Sequence, residues 1–153
     1  MLIKRLNEKE LQQALALVLE VFMQFEASDY GKEGVETFKR TGIYDKKYVA
    51  SLEMYGAFLG EELAGVIATR NAGSHIALFF VKGQYHKQGI GSSLFQAVLS
   101  HSLADVITVN SSPYAKEVYR HLGFEEVSEE QTVGGVRFIP MSFKRTFNNE
   151  IIT

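Results

Sequence analysis

The sequence predicts a mixed α/β fold (α+β, mixed sheet), in which one sheet carries helices on its faces. The first observation is the order of segments: strand-length apolar runs alternate with segments of helical periodicity in the order β-α-α-β-β-β-α-β-α-β-β. The second is composition, since 46% of the residues are hydrophobic and 22% are charged, as in globular chains. At 153 residues the chain is long enough for one substantial core. We therefore predict a single domain over residues 1–153.

The N-terminal third predicts a strand followed by helices. Residues 1–6 alternate weakly and predict an edge strand. Asn7, with an acidic residue three positions later, has the pattern of a capping box, and apolar residues at helical spacing between Leu11 and Phe25 predict the first helix. Residues 27–47 are the least regular part of the chain, since three glycines interrupt a short helical pattern. We expect this segment to contact the substrate.

The middle of the chain predicts a hairpin, a strand, a helix and a further strand. Residues 55–69 contain two apolar runs around a polar turn at 60–62. Residues 76–81 predict the next strand and residues 90–103 a helix. The β-branched residues in 105–110 predict another buried strand.

The C-terminal part predicts one more helix and a second hairpin. Ser112, followed by Pro113, is a helix start, because serine caps helices and proline favours the first helical position. Gly123 is the expected helix end. Residues 124–133 and 136–143 then pair across two consecutive glycines.

Composition excludes several classes of function. A formal net charge of −2 provides no basic surface, so we expect no nucleic-acid partner. Without cysteine the chain has no disulfide and no thiolate nucleophile, and its four histidines lack metal-site spacing, so we expect no metal. No signal-type segment or apolar run near ~18 residues is present, which predicts a cytoplasmic protein without a membrane partner.

Residues 86–92 (HKQGIGS) predict an anion site, because they join a strand to the start of a helix through two glycines. Unpaired N–H groups at a helix N-terminus and the positive end of its dipole favour phosphate. The loop does not fit a dinucleotide fingerprint, since Leu94 stands where a third glycine is needed. It does not fit a Walker A loop either, since two serines follow Gly91.

Two motifs resemble the GCN5-related N-acetyltransferase (GNAT) superfamily. The loop resembles its Gln/Arg-x-x-Gly-x-Gly/Ala signature for the pyrophosphate of coenzyme A, with His86 at the Gln/Arg position. Residues 119–124 (YRHLGF) resemble its Tyr-x-x-Leu-Gly-Phe signature. The resemblance implies the GNAT acyl-CoA N-acyltransferase fold, with a central mixed, mostly antiparallel sheet flanked by helices. It also implies acetyl-CoA as cosubstrate, and residues 110–115 and 135–141 look like a bacterial small-molecule or uncharacterised branch.

The same resemblance implies the site residues. In the superfamily the strand before the loop separates from its neighbour, pantetheine lies in the gap, and an N–H, here near Phe80 or Val81, faces the thioester oxygen. Tyr119 matches the helix tyrosine that protonates the departing thiolate, and it is our predicted catalytic residue. The predicted cofactor-binding residues are Phe79, Phe80, Val81, His86, Lys87, Gln88, Gly89, Ile90, Gly91, Ser92 and Asn110.

The predicted function is transfer of an acetyl group from acetyl-CoA to a primary amine, with a small molecule expected as acceptor. Direct transfer in a ternary complex follows from the absence of cysteine. His75, Glu26, Glu53 or water are the alternatives for the general base. The alternatives for the whole protein are a non-catalytic acyl-CoA-binding regulatory module and a protein or peptide N-acetyltransferase. A homodimer through the last strands is also expected from the resemblance.

Overall fold

A computed structural model describes residues 1–145 and shows a mixed sheet with helices on both faces. The last eight positions of the predicted domain, 146–153, lie outside the described residues. Within 1–145 the strands are β1 (Leu2–Arg5), β2 (Glu53–Leu59), β3 (Glu62–Arg70), β4 (His75–Val81), β5 (Val106–Ser111), β6 (Glu125–Glu126), β7 (Gln131–Val133) and β8 (Val136–Lys144). The helices are α1 (Leu11–Phe25), α2 (Gly31–Phe38), α3 (Lys46–Ala50), α4 (Ile90–His101) and α5 (Lys116–Leu122).

The sheet order is β1-β2-β3-β4-β5-β8-β6, with β7 paired to β8. Neighbouring strands are antiparallel except β4 and β5, which are parallel. This parallel pair is joined by α4, as parallel neighbours require a crossover. The predicted fold class is therefore confirmed.

Apolar side chains from both faces of the sheet form two core clusters. One cluster packs β2, β3 and β4 against α1, α2 and α3, and includes a stacked pair of rings, Phe22 and Phe38, 4.0 Å apart. The other packs the opposite face against α4 and includes Tyr119 of α5. No helix in the described part of the chain has the length and apolar character needed to cross a bilayer.

Helix ends follow the local sequence signals closely. The Asn7 side chain accepts from the Glu10 N–H at 3.2 Å, and the Glu10 carboxylate accepts from the Asn7 N–H at 3.0 Å, so the predicted capping box is present. A 3-10 turn over Glu8–Glu10 leads into α1. At the other end of the chain, Gly123 ends α5 with a φ of 106°, a conformation that favours glycine.

Two helical predictions differ from the structure. Residues 27–47 are largely helical, because Phe38 and other apolar side chains of this segment pack on the core cluster beside α1. A five-residue π-helical turn, Lys39–Ile43, follows α2 directly. The last helix begins at Lys116, not at Pro113, because the Ser112 hydroxyl accepts from the Ala115 N–H at 3.1 Å and closes a separate turn first.

Two strand predictions also differ from the structure. Strand β5 is buried on one face only, because successive side chains of a strand point to opposite faces and only the face with Ile107 and Val109 packs in the core, which leaves Asn110 exposed. The segment 124–133 is two short strands, β6 and β7, which pair with different parts of β8. The hairpin turn at Gly134 and Gly135, both with positive φ, is as predicted.

Gly34 of α2 is where the C-terminal hairpin meets the helices. A Cβ at Gly34 would collide with the carbonyl of Gly135, while one at Gly42 would only contact the Phe38 ring at 3.6 Å. We expect Gly34→Ala to lower the free energy of unfolding by about 1–3 kcal/mol, because the hairpin must move away from α2. Gly42→Ala, the matched control, should be neutral or stabilising by up to about 1 kcal/mol. Urea unfolding measures both, and equal stability of the two variants would contradict this contact.

Candidate active site

The loop between β4 and α4 presents unpaired N–H groups. Lys87 and Gly89 adopt positive φ, 63° and 83°, and turn the chain into α4. The Ser93 N–H donates to the Gly89 carbonyl at 3.0 Å, so the three helical N–H groups before it have no acceptor within the helix. A Cβ at Gly89 would meet nothing within 4 Å, so the space beside this residue, at the start of α4, is open. The loop therefore has the geometry of an anion site.

His86 fixes this loop to the end of β4. Its Nε2 lies 2.7 Å from the Val81 carbonyl oxygen, and because a carbonyl can only accept, the ring nitrogen donates. The ring also packs on Phe25 of α1, with ring centroids 4.9 Å apart. The structure thus gives His86 a positioning contact that its place in the motif did not predict.

Strands β4 and β5 separate soon after they meet. They pair only at His75 with Thr108 and at Ile76 with Val109, whereas β4 stays paired with β3 as far as Val81. In the pairing of β4 with β3, Ala77 is an extra residue on β4, which makes a β-bulge. The bulge and the short pairing leave a gap between the C-terminal ends of the two strands.

The register decides which backbone groups of β4 face this gap. The Lys82 N–H donates to the Ala64 carbonyl of β3 at 2.9 Å. Since successive residues of a strand direct their N–H and C=O groups to opposite edges, Phe80 also faces β3, while Phe79 and Val81 face the gap. The Phe80 side chain is in the core, and the Phe79 ring packs edge-on against Tyr119 at 5.8 Å.

A smaller cleft of about 260 Å³ lies between this loop, β4 and α5. It brings together eight of the predicted cofactor residues: Phe79, Phe80, Val81, His86, Lys87, Gly89, Ile90 and Gly91. Gln88 and Ser92 are exposed beside it, and Asn110 lines a different cleft. Tyr114 and Val118, which the sequence analysis missed, also line it, and Tyr114 stacks on Phe25 at 5.4 Å.

A larger cleft of about 610 Å³ lies on the other side of β4. Its floor is β4 from His75 to Phe80, and the C-terminal hairpin forms one wall. The opposite wall comes from the segment for which substrate contact was predicted, through Tyr30, Thr37, Phe38, Thr41, Gly42 and Asp45. Sequence periodicity could not find Arg70, which lines the same cleft from the end of β3.

The two clefts share five lining residues: Glu26, Phe79, Phe80, Ala115 and Tyr119. Glu26, the residue that follows α1, is only 8% exposed. Burial raises the pKa of its carboxyl from 4.5 to about 7, the Asp29 charge adds to the rise, and the Ser112 hydroxyl opposes it. A carboxyl with this pKa exchanges a proton readily near neutral pH.

Tyr119 is 5% exposed at the same junction. Burial raises the pKa of its phenol, and the nearby charges of Glu26 and Tyr30 raise it further. Burial likewise raises the pKa of Tyr30, next to Glu26. Both hydroxyls therefore keep their protons at neutral pH and can donate them.

The other two side chains named as general bases are less well placed. Burial lowers the pKa of His75 to about 4, with the Arg70 charge adding to the effect, and its Nδ1 lies 2.7 Å from the Thr108 hydroxyl. Glu53, at the start of β2, lies 4.0 Å from Arg5 and lines neither cleft. Among residues 1–145 no group of three or more His, Asp or Glu side chains could hold a metal ion.

Comparisons with known proteins agree with this geometry. The family model described as an acetyltransferase (GNAT) domain matches residues 26–145. No curated protein matches the sequence significantly.

Similar folds occur among solved structures. A GCN5-related N-acetyltransferase from Rhodopseudomonas palustris superposes with a TM-score of 0.80 at 18% identity, covering 94% of this chain and 95% of the other. The PaiA N-acetyltransferase of Thermoplasma acidophilum, in complex with coenzyme A, has a TM-score of 0.73 at 18% identity, covering 95% and 100%. An acetyltransferase from Bacillus subtilis, also in complex with CoA, has a TM-score of 0.60 at 19% identity, covering 94% and 97%.

The raised pKa of Glu26 predicts a pH-dependent stability. The folded protein keeps this proton up to about pH 7, whereas the unfolded chain loses it near pH 4.5. Stability from this group is therefore greatest below pH 4.5, is lost as pH rises to 7, and is constant above it. Glu26→Gln should remove this loss and raise the free energy of unfolding at pH 8 relative to wild type by up to about 3 kcal/mol.

Urea unfolding at pH 5 and pH 8 measures the effect. Glu20→Gln, on the exposed face of α1, is the matched control and should keep the wild-type difference between the two pH values. The same difference in Glu26→Gln as in wild type would show that the carboxyl is not desolvated.

Proposed function

Because the chain belongs to the GNAT acetyltransferase family, as the match over residues 26–145 establishes, we propose that it transfers an acetyl group from acetyl-CoA to a primary amine by direct transfer. The family indicated by the two sequence motifs is confirmed, and the chain is an acyltransferase. The observation that carries the proposal is the junction of the two clefts, where Glu26 and Tyr119 meet the gap-facing part of β4.

The smaller cleft fits coenzyme A. The N-terminus of α4 supplies the unpaired N–H groups for a pyrophosphate, and the open space at Gly89 lets a phosphate approach the backbone. Phe79 and Val81 direct backbone groups into the gap, where a pantetheine amide replaces the missing partner strand. The Val81 carbonyl is used by His86, so its N–H is the free donor next to the junction.

The junction supplies the two proton transfers that amide formation needs. Glu26 accepts a proton from the amine, whose nitrogen forms a bond to the thioester carbon, and the Val81 N–H donates to the carbonyl oxygen as it gains charge. As the carbon–sulfur bond breaks, Tyr119 donates its proton to the leaving thiolate. Burial raises the pKa of Tyr119. Burial in the same cleft also raises the pKa of the thiol, so the thiolate can still take the proton from the phenol.

The larger cleft favours a small-molecule acceptor. Its volume of about 610 Å³ falls within the range of small-molecule sites, which runs from about 300 to 1,000 Å³. The hairpin and α2 hold its walls together, since Thr37 Oγ1 donates to the Gly134 carbonyl at 2.6 Å. A protein or peptide acceptor would need a more open groove.

Four expectations from the sequence remain predictions. They are the single domain over residues 1–153, the cytoplasmic location, the absence of a nucleic-acid partner and the homodimer. Strand β8 is paired on both sides, by β5 and by β6 and β7, so a second copy that extends the sheet through its last strands would have to join at β6 or β7.

Gly91 tests the coenzyme A site. A Cβ there would contact only the Phe79 ring, at 3.6 Å, and a carboxylate near a helix N-terminus does not destabilise the helix. Gly91→Glu should therefore fold but repel the pyrophosphate. Wild type should gain about 2.7 kcal/mol of stability from CoA at 100 times its Kd, and Gly91→Glu nearly none. Thermal unfolding with and without CoA measures this; Gly91→Ala is the control, and equal shifts in all three proteins would place the site elsewhere.

Tyr119 tests the proton donor. Tyr119→Phe keeps the ring against Phe79 and removes the only proton it can donate. We expect kcat to fall by roughly 10²- to 10⁴-fold while CoA affinity, measured by calorimetry, is retained. Tyr55→Phe, which alters a buried tyrosine outside both clefts, is the matched control and should keep wild-type kcat. An unchanged kcat in Tyr119→Phe would remove this residue from the mechanism.

A further inference from the structure

Arg70, the last residue of β3, has a buried polar atom without a partner. Its Nε is inaccessible and makes no hydrogen bond, and its Nη1 lies a long 3.5 Å from the Tyr48 hydroxyl. None of the ion pairs formed within residues 1–145 includes Arg70. Arg70 is half-buried, and a guanidinium in which one buried nitrogen is unpaired and another makes only a long hydrogen bond is costly, which points to an anion that compensates its charge.

The surroundings of Arg70 make this end of the larger cleft an anion site. Arg70, Tyr48 and His75 all line the cleft. The cleft has two acidic lining residues, Glu26 and Asp45. Asp45 caps α3, because its side chain accepts the Tyr48 N–H at 3.0 Å. His75 is neutral at pH 7, because burial and the Arg70 charge lower its pKa to about 4. The positive charge of Arg70 therefore faces the cleft without an anionic partner among these neighbours.

This end is far from the proton-transfer groups. Six consecutive residues of β4, from His75 to Phe80, line the cleft, a length of about 16 Å at ~3.3 Å per residue. Arg70 is paired with His75 at one end of this floor, whereas Glu26 and Tyr119 share the smaller cleft with Phe79 and Phe80 at the other end. An acceptor that reaches both ends must be elongated.

We propose, building on the function proposed above, that the acceptor is an elongated primary amine with a carboxylate several bonds from its nitrogen, and that this carboxylate binds Arg70. The two Nη groups at the tip of a guanidinium form a planar pair of donors that matches the two oxygens of a carboxylate. The amine then lies at Glu26. An amino acid whose amine and carboxylate share one carbon is too short to reach both groups.

Acetyl transfer to a matched set of amines tests the proposal. The probes are 6-aminohexanoate, its amide 6-aminohexanamide, and glycine as a short acid. Wild type should prefer 6-aminohexanoate to the amide by about 10- to 100-fold in kcat/KM, mainly through KM, and should use glycine poorly. Arg70→Gln should abolish the preference, whereas Arg40→Gln, which removes an exposed charge outside the cleft, should keep it. Equal rates with acid and amide in wild type, or a preference that survives in Arg70→Gln, would overturn it.

A binding measurement separates this proposal from acetyl transfer itself. In the CoA-loaded protein, the Arg70 Nε–H signal in a proton–nitrogen NMR spectrum is identified by its loss in Arg70→Gln. The signal should shift saturably with 6-aminohexanoate and not with 6-aminohexanamide. Turnover of amines without this shift would overturn the carboxylate site and keep acetyl transfer. The shift without turnover of any amine would overturn acetyl transfer and keep the carboxylate site.

Discussion

The separation of β4 from β5 is the constraint on which the rest of this structure depends. The two strands share only two residue pairs before they part, while β4 remains paired with β3 to its end. The extra residue at Ala77 lies in the pairing with β3 and favours this separation, because a bulge bends the strand that carries it. The gap exposes backbone groups of Phe79 and Val81 that a regular sheet would pair. Both clefts open on this gap.

The proton chemistry follows from what packs around the gap. Glu26 directly follows α1, which packs in the core cluster with the Phe22 and Phe38 stack, whereas Tyr119 belongs to the cluster on the opposite face of the sheet. Burial raises the pKa of both groups, with different consequences: the carboxyl exchanges its proton near pH 7, and the phenol retains its own. This arrangement disfavours the ionised forms in the folded state, and the packing of the surrounding helices offsets that cost.

The larger cleft depends on contacts between segments that are distant in sequence. Helix α2 and the π-helical turn after it lie on one side of this cleft and the C-terminal hairpin lies on another, and α2 touches the hairpin where Gly34 leaves no room for a side chain beside Gly135. Arg137 of the hairpin adds a second link, since its Nη1 donates to the Asp29 carbonyl at 3.2 Å. The walls and the floor are therefore linked to one another, with Arg70 at one end of the cleft and the buried carboxyl of Glu26 at the other.

The sequence alone determined the features that local rules control. The capping box at Asn7, the hairpin turn at Gly134 and Gly135 and the helix end at Gly123 were all predictable, because each depends on residues within one turn. The turn between β4 and α4 was predictable for the same reason, as its glycines and the start of α4 are contiguous. The family then followed from two short motifs in order along the chain.

Tertiary structure decided what depends on the surroundings. Glu26, His75 and Glu53 were equal alternatives for the base, because nothing near any of them in sequence reveals burial; α1 places Glu26 at the junction and β2 places Glu53 outside it. The helical character of residues 27–47 came from packing on the core, which overrides their interrupted pattern. Arg70 had no sequence signal at all. Its significance lies in the partners it lacks, and a missing partner is a property of the folded chain, because burial and hydrogen bonding are set by residues far apart in sequence.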